Sequence, residues 1–258
     1  MELLFIYISS LIFGAIVGSF LNVCIYRIPE NVSLWWPPST CPKCKTRIKF
    51  YDNIPVLSYI ILRGKCRNCK EPISIQYPVI EALTSILTLL VVYKFGLTYW
   101  TAVALLVTYS LIVLSMIDFR LYIIPDRFSI GLTVLGLAVF FINPAFSGDL
   151  KAKFIQCFTG GAVGFFGLWG MAIIGSFLFK KEAMGGGDIK LTAAVGTLTG
   201  LSGVISTLII SSFLGLVYYI VLFILKKDPQ NKTIPFGPFI SMGLFINILF
   251  PNNLLLLY

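Results

Sequence analysis

The feature that most constrains this chain is a succession of apolar segments, close to bilayer-spanning length, that recurs from one end to the other. A transmembrane helix needs about 20 mainly apolar residues. Hydrophobic residues fill 57% of the 258 positions and charged residues only 12%, about half the charged share of a soluble domain. The sequence therefore predicts an all-α polytopic integral membrane protein with about eight transmembrane helices. The predicted spans are 3–25, 78–94, 99–117, 128–142, 154–178, 189–203, 204–225 and 235–250.

The first apolar run, within residues 1–26, is too long for the h-region of a signal peptide. It also lacks a basic segment before it and a clear small-residue cleavage site. We therefore expect it to be retained as the first membrane span.

The distribution of basic residues predicts the orientation of the chain. With the N-terminus outside, the inside loops are 26–77, 118–127, 179–188 and 226–234, and these loops with their margins hold seventeen of the 20 Lys and Arg residues. This asymmetry is what the positive-inside rule requires. A single broken segment near residue 200, the alternative to two spans there, would place the basic residues of 226–234 outside and is disfavoured. Both termini are thus expected outside.

The net charge of +9 is explained by cytoplasmic loops facing anionic membrane lipids, without a nucleic-acid partner.

The chain contains no histidine, which excludes several classes of enzyme. Ser-His-Asp and Cys-His nucleophilic catalysis both need an imidazole. An H-E-x-x-H metalloprotease is excluded for the same reason. Proton transfer must therefore use Asp, Glu, Lys, Tyr or Cys.

The polar segment 27–77 carries two C-x-x-C pairs, Cys41 with Cys44 and Cys66 with Cys69, separated by 21 residues. Four thiolates at this spacing match the ligand pattern of a tetrahedral zinc site. A short segment with few large apolar residues needs such a cross-link to hold a shape. We predict a small cytoplasmic four-cysteine zinc-binding loop domain, in which the closed metal site acts as a scaffold.

Thiol–disulfide exchange is the alternative for these cysteines, because C-x-x-C pairs also serve redox chemistry. The presence of two pairs in one small loop favours zinc, and a reducing cytoplasm disfavours disulfides. Cys24 and Cys157 lie within apolar spans and are expected to be inert packing residues.

Eleven acidic residues are present, and most lie in polar loops where solvation explains them; Asp52 is one of these. Acidic residues at or within membrane spans are costly and are therefore candidates for function. Four fall in this class: Glu81, Asp118, Asp126 and Asp188.

Asp118 and Asp188 both fall at predicted cytoplasmic ends of spans, so they could meet across a helix interface. Two carboxylates that share a proton provide one acid and one base, which suffices to activate water on a peptide carbonyl. The glycines at 185–187 allow close approach of backbone or substrate next to Asp188. The alternative is that each aspartate only pairs with a nearby cation, the candidates being Arg120, Arg127 and Lys190.

Eight motifs in order along the chain resemble the type IV prepilin leader peptidase and N-methyltransferase family. They are Gly18 to Pro29, Cys41 to Cys44, Asn53 to Tyr59, Gly64 to Cys69, Tyr77 to Glu81, Asp118 with Pro125 and Asp126, Gly185 to Leu191, and Pro235 to Pro238. Any one of them alone is a weak signal, whereas the ordered set is highly specific and covers nearly the whole chain.

This resemblance implies roles for individual residues. The G-x-G-D aspartate, Asp188, and the first aspartate of the D-x6-P-D pattern, Asp118, correspond to the family's catalytic pair. Asp126 and Glu81, together with Gly185 and Gly187, are expected to bind or orient substrate. The family's cysteine loop maps onto the four cysteines described above.

The resemblance also implies a function in the bacterial inner membrane. Proteins of this family cleave a basic leader from type IV prepilins and pseudopilins at the cytoplasmic face, and they methylate the new N-terminal residue from S-adenosylmethionine. The expected domains are a first span (1–26), a zinc-binding, methyltransferase-associated domain (27–77) and a membrane aspartyl peptidase core (78–258). No G-x-G-x-x-G motif marks a Rossmann-type site for the methyl donor, so a peptidase without methyltransferase activity is an alternative.

A proton-coupled transporter is the main alternative from another functional class. It would place acidic residues near the membrane midplane, on broken helices in two similar halves. Here the acidic residues cluster at one predicted face and the halves are unlike, which disfavours a transporter.

Overall fold

The computed structural model describes residues 2–180, 184–225 and 234–251. Parts of the predicted loops 179–188 and 226–234, and the C-terminal residue Tyr258, lie outside the described residues. Two compact units divide the chain between Val113 and Leu114. The expected division into 1–26, 27–77 and 78–258 concerns function rather than compactness and stays a prediction.

Eight α-helices account for the described architecture: α1 Glu2–Arg27, α2 Leu57–Ile61, α3 Gln76–Phe95, α4 Tyr99–Leu121, α5 Asp126–Val139, α6 Leu150–Phe179, α7 Gly186–Ile224 and α8 Gly237–Leu249. Short 3₁₀ turns occur at Phe50–Asn53 and Phe140–Ile142. Among the described residues, β-pairing is limited to two isolated bridges in the cysteine loop. The predicted all-helical membrane fold is confirmed.

Among the described residues, five helices are long and apolar enough to cross a membrane, namely α1, α3, α4, α6 and α7. The 14 residues of α5 and the 13 residues of α8 extend only about 20 Å each at 1.5 Å per residue, short of a hydrocarbon core of about 30 Å. The count of eight spans therefore stays a prediction.

Helix α7 is broken at Gly200, three residues before the predicted junction of the spans 189–203 and 204–225. Its 39 residues would extend about 58 Å, nearly twice the hydrocarbon thickness. Gly200 has φ 71° and ψ −172°, a region that only glycine adopts readily. The break frees backbone carbonyls, and buried side chains satisfy them. Asn143 donates to the Leu198 carbonyl at 2.7 Å, and the Cys157 thiol donates to the Thr197 carbonyl at 3.2 Å.

In the first unit, α1 packs antiparallel on α3 through small residues. A methyl group on Gly14 would lie 2.7 Å from the Cα of Ser85, and one on Gly18 would lie 2.7 Å from the Cα of Glu81. Glycine at these positions lets the two backbones approach closely, as is common between membrane helices.

In the second unit, α7 packs against α5, α6 and α8. Gly160 and Gly164 of α6 contact the backbone of α7 near Gly196 and Thr192. The side chain of Asn247 on α8 accepts from Ser206 at 2.6 Å and donates to Thr207 at 3.1 Å. These contacts hold α6, α7 and α8 together within one unit.

Candidate active site

Asp118 lies in the last turn of α4 and is 5% exposed. Its Oδ2 accepts a hydrogen bond from the backbone N–H of Gly237 at 3.0 Å. Gly237 is the first residue of α8, where backbone N–H groups have no partner within the helix. The N-terminus of α8 therefore supplies both a donor and a positive dipole end to this carboxylate.

Asp188 lies in the first turn of α7, directly after the glycine run. Its backbone N–H donates to the Gly185 carbonyl at 3.2 Å, and its Oδ2 lies 3.3 Å from the position that a Cβ of Gly185 would take. Among the described residues, its buried Oδ1 has no hydrogen-bond partner. This oxygen is available to a water molecule or a substrate.

The fold brings Asp118 and Asp188 close enough for their carboxylates to interact electrostatically. Ile124 packs between the two glycines beside them. Its side chain lies 2.8 Å from where a Cβ of Gly187 would be and 2.9 Å from where a Cβ of Gly237 would be. Glycine at both positions lets the Ile124 side chain pack this closely beside the pair.

Asp126 is placed differently from the other two aspartates. It begins α5, and its side chain is 57% exposed and forms an ion pair with Lys190 at 2.7 Å. This is the cation pairing that the sequence left open for each aspartate, and an exposed pair of this kind contributes about 0–1 kcal/mol. In the part of the chain that the structure describes, no ion pair includes Asp118 or Asp188.

Gly237 is the residue at this site whose role sequence reasoning missed. The Pro235 to Pro238 motif contributed to the family resemblance, but no function was assigned to it. Proline is common in the first turn of a helix, where its missing N–H has no helical partner. That signal could have located the start of α8, although not the aspartate that it meets.

Glu81 lies in the second turn of α3 and is 7% exposed. Its Oε2 accepts a hydrogen bond from the backbone N–H of Val56 at 2.7 Å. The buried carboxylate thereby connects a membrane helix to the cysteine loop. It belongs to the first compact unit, whereas the aspartates belong to the second.

The four cysteines of the loop converge as predicted. The Sγ atoms of Cys41, Cys44, Cys66 and Cys69 all lie within 4.8 Å of one another. A tetrahedral zinc site with Zn–S bonds of about 2.3 Å separates its sulfur atoms by about 3.8 Å, and the Sγ atoms of Cys41 and Cys69 are 3.8 Å apart. The cluster can therefore hold a metal ion with all four sulfur ligands.

The two halves of the cluster share one backbone design. The N–H of Cys41 donates to the Thr46 carbonyl at 3.0 Å, and the N–H of Cys66 donates to the Glu71 carbonyl at 2.8 Å. A lysine follows the second cysteine of each pair, and Lys45 and Lys70 both have positive φ, 57° and 60°. The local sequence repeat Cys-x-x-Cys-Lys thus forms the same turn twice.

Hydrogen bonds act unequally on the thiols. The Thr46 side chain and backbone lower the pKa of Cys44 to about 5. The Cys69 and Asn68 backbone groups lower the pKa of Cys66. At Cys69 the Glu71 backbone acts to lower the pKa, but local desolvation and the neighbouring thiols prevail and raise it to about 11. Without metal, therefore, the four thiols are not all ionised at neutral pH, and metal binding must displace protons.

Asp52 is not simply solvated, contrary to expectation. Its side chain is only 10% exposed and accepts two-pronged hydrogen bonds from Arg67 at 2.6–3.0 Å. These hydrogen bonds lower the pKa of Asp52. The Asp52–Arg67 pair fixes the 3₁₀ turn Phe50–Asn53 next to the second C-x-x-C pair.

Cys24 and Cys157 are both buried, as expected of packing residues.

The acidic residues within helices lie near helix ends rather than at their centres. Glu81 is in the second turn of α3, Asp118 in the last turn of α4 and Asp188 in the first turn of α7. A transporter that relays protons would need such groups near the midplane. The placement therefore continues to disfavour that alternative.

Comparison with known proteins gives consistent results over nearly the whole chain. Residues 12–95 match the Bacterial Peptidase A24 N-terminal domain, and residues 105–220 match the Type IV leader peptidase family. The chain is 35% identical to a prepilin leader peptidase/N-methyltransferase of Neisseria gonorrhoeae over 90% of this chain and 86% of that protein. It is 31% identical to the protein of the same name from Pseudomonas putida, over 98% of this chain and 94% of the relative.

No solved structure matches this chain. The ordered sequence motifs, the aspartates gathered at the start of α7 and the end of α4, and the two family matches agree with one another. The chain belongs to the type IV leader peptidase family.

Proposed function

We propose that this protein cleaves the leader from type IV prepilins and pseudopilins at the cytoplasmic face of the bacterial inner membrane and methylates the new N-terminus. The observation that carries the peptidase activity is the pairing of Asp118 with Asp188 at the ends of two membrane helices. The relatives named prepilin leader peptidase/N-methyltransferase support both activities.

In the proposed cleavage step, the two aspartates divide the proton transfers. One carboxylate takes a proton from water, and the other carboxyl group donates a proton to the oxygen of the scissile peptide bond. The Gly237 N–H holds Oδ2 of Asp118 in place. The Oδ1 of Asp188 has no partner among the described residues, which supports its contact with water or the carbonyl oxygen. The exposed Asp126, with Gly185 and Gly187, serves substrate binding or orientation.

The four-cysteine cluster is proposed to hold one structural zinc ion. Its 3.8 Å sulfur separation fits the ion, and four protein ligands leave no open position for chemistry. S-adenosylmethionine, when bound, supplies an electrophilic methyl group. The sequence has no Rossmann glycine motif for this donor, so we assign no residues to its binding.

The proposed orientation places both termini outside and the cysteine loop in the cytoplasm. It rests on the excess of Lys and Arg in alternate loops. In this orientation the ends of α4 and the start of α7 face the cytoplasm, where the basic leader of a membrane-anchored prepilin also lies. Membrane lipids are the expected surroundings, and no nucleic-acid partner is proposed.

The test is incubation of the detergent-solubilised protein with a prepilin, with and without S-adenosylmethionine, followed by mass measurement of the product N-terminus. Cleavage in both samples and a methyl group only with the donor are expected. Cleavage without methylation would reduce the function to that of a peptidase. An uncut prepilin would contradict the proposal.

A further inference from the structure

Polar side chains lie between the antiparallel helices α1 and α3, at the end of this helix pair that is next to the cysteine loop. Asn22 lies one turn beyond Gly18, which packs on the backbone of Glu81. The Asn22 amide reaches the Tyr77 carbonyl, one turn before Glu81. One turn further along α1, the Tyr26 hydroxyl donates to the side chain of Gln76 at 3.4 Å. These contacts place Asn22, Gln76 and Glu81 along one short stretch of the helix interface.

Asn22 leaves an acceptor without a partner in this interface. The residue is 1% exposed. Its Nδ2 donates to the carbonyls of Gly18 and Tyr77, at 3.3 and 3.2 Å, which fixes the orientation of the amide. Its Oδ1 is buried and has no hydrogen-bond donor among the described residues. A buried polar atom without a partner costs about 1–3 kcal/mol, so a native structure retains it only for a reason.

Gln76 leaves the complementary group, a donor. Its buried Nε2 also has no partner among the described residues. The two side chains together offer one free acceptor and one free donor, which is the complement of a peptide N–H and C=O.

Glu81 adds a charge to the same stretch. The donors to this 7% exposed carboxylate are neutral, namely the Val56 N–H at 2.7 Å and the Ser19 hydroxyl. Among the described residues, no ion pair includes it. A carboxylate within a membrane helix normally pairs with a cation.

The backbone at Val56 is strained, and its hydrogen bond to the Glu81 carboxylate helps to hold it in that conformation. Val56 has φ 61° and ψ −49°, and Leu57 N–H bonds to the Pro55 carbonyl at 2.6 Å. This is a γ-turn with positive φ, a rare conformation and an unfavourable one for a β-branched residue. Such strain concentrates at functional sites. The Val56 N–H is aimed at the carboxylate by this turn.

We propose that Glu81, Asn22 and Gln76 bind the free amino terminus of a peptide, namely the mature pilin once its leader is removed. This inference rests on the proposed function and locates the substrate amine of its methyltransferase step in the first compact unit. The ammonium group pairs with Glu81. The first peptide group meets the free acceptor of Asn22 and the free donor of Gln76.

Glu81 also removes the proton that blocks methylation. An ammonium nitrogen has no lone pair, so it must first lose a proton, which passes to the Glu81 carboxylate and converts it to a carboxylic acid. The freed electron pair forms the new N–C bond. The C–S bond of the methylsulfonium co-substrate breaks, and its electron pair remains on sulfur.

Peptide binding without a methyl donor tests the site directly. The full-length protein in detergent is titrated with a labelled peptide of mature pilin sequence, either with a free N-terminus or N-acetylated. Acetylation should weaken binding at least about tenfold, equivalent to about 1.4 kcal/mol. Equal binding of both peptides by the native protein would overturn the proposal, whatever the variants do.

The variant Glu81→Gln separates charge from structure, because glutamine can still accept from the Val56 N–H. It should bind free and acetylated peptides alike. Methylation of a pre-cleaved peptide should fall at least about 100-fold, a much larger loss than that of prepilin cleavage. Glu30→Gln, which changes an exposed acid just beyond α1, is the matched control and should preserve both activities.

The activities of Glu81→Gln and of the native protein test separate parts of the proposal. Native methylation by Glu81→Gln would refute the site. An equal loss of prepilin cleavage and methylation in Glu81→Gln would also refute it, because it would assign Glu81 to the leader or to the fold. Failure of the native protein to methylate any pilin peptide would refute the methyltransferase part of the proposed function, whereas the acetylation experiment would still decide whether an amino terminus binds here.

Discussion

At the residue scale, the aspartate pair has one member fixed by the backbone and one member left free. Asp118 is anchored by the Gly237 N–H at 3.0 Å, whereas Oδ1 of Asp188 has no partner in the described residues. Preorganised donors of this kind hold reacting groups without rearrangement during the reaction. The two residues are therefore expected to be equally necessary but differently supported.

Substitution of either aspartate should abolish cleavage. Asparagine preserves size and polarity but can neither take nor give the required proton, so Asp118→Asn and Asp188→Asn should each remain folded and inactive. The double variant should be no worse than either single one, since the pair acts as a unit. Prepilin cleavage by purified protein, followed by gel shift, is the measurement.

Asp126→Asn is the control for that pair and should keep measurable turnover, because Asp126 is exposed and paired with Lys190. Substantial cleavage by Asp188→Asn would refute the aspartyl mechanism. Loss of activity in Asp126→Asn with survival of Asp118→Asn would show that Asp126 is the true partner.

Gly237→Ala should slow catalysis with little loss of stability. The added methyl would lie 2.7 Å from Oδ2 of Asp118 and 2.9 Å from Cδ1 of Ile124. Both are ends of side chains that can move, so the fold tolerates the change while the carboxylate is displaced. Because a misplacement of about 1 Å can cost about 100-fold in rate, we expect kcat to fall at least about tenfold with KM nearly unchanged.

Gly131→Ala in α5 is the matched control, since a methyl there meets nothing within 4 Å. Its kcat should equal that of the native protein. A native kcat in Gly237→Ala as well would mean that the Gly237 contact does not position Asp118.

At the scale of elements, the candidate site residues lie near the ends of helices, and the loop with the four-cysteine cluster joins α1 to α3. The loop between α1 and α3 has short helices and turns but few buried apolar side chains. Cross-linking by a metal compensates for a small core. The loop is thus expected to depend on its cysteines, whereas the membrane helices depend on packing.

Serine at Cys41 should release the metal and unfold the loop. Purified native protein should contain about one zinc per chain by elemental analysis, and the variant should contain much less. Because metal binding and local folding are coupled, residues 27–77 should become sensitive to protease while the membrane helices stay intact. A native protein without zinc but with a reversible disulfide would favour the redox alternative.

Gly200→Ala should destabilise the second unit at the break in α7. A side chain at φ 71° and ψ −172° costs about 1–3 kcal/mol, and the new methyl would lie 3.2 Å from the ring of Phe146. A lower Tm in a detergent melting experiment is expected. Gly170→Ala in α6, where a methyl meets nothing within 4 Å, should leave Tm unchanged or slightly raised.

At the scale of the whole molecule, the chain comprises two compact units that divide between Val113 and Leu114. The first family match, residues 12–95, lies within the first unit, and most of the second, residues 105–220, lies within the second. The cysteine cluster and Glu81 belong to one unit, and the aspartate pair belongs to the other. If the proposed assignments are right, substitutions in one unit should impair one activity more than the other.

Reporter fusions should reveal the proposed orientation. A reporter within residues 45–60 should give a cytoplasmic signal, and one at the C-terminus, after Tyr258, should give a periplasmic signal, because basic residues concentrate in alternate loops. The same signal from both positions would remove at least one span from the predicted topology.

The sequence by itself determined the helical membrane class, the four cysteines of the cluster and the set of acidic residues worth testing. Each of these follows from local spacing: apolar run length, C-x-x-C separation and the position of an acid relative to a span. The choice between Asp118 and Asp126 as partner of Asp188 had to come from the family resemblance, because both follow the same span and lie within one short segment.

Tertiary structure alone decided which groups meet. Asp118 accepts a hydrogen bond from a backbone N–H 119 residues away in the sequence, and Glu81 accepts one from Val56, 25 residues away. Lys190 donates to Asp126, which is 64 residues away. No periodicity or spacing encodes these contacts, since they arise from how glycine-lined helices pack. Close packing places Asp118 at the N-terminus of α8 and leaves Asp126 beside the exposed cation Lys190. This difference in surroundings distinguishes two residues of the same type.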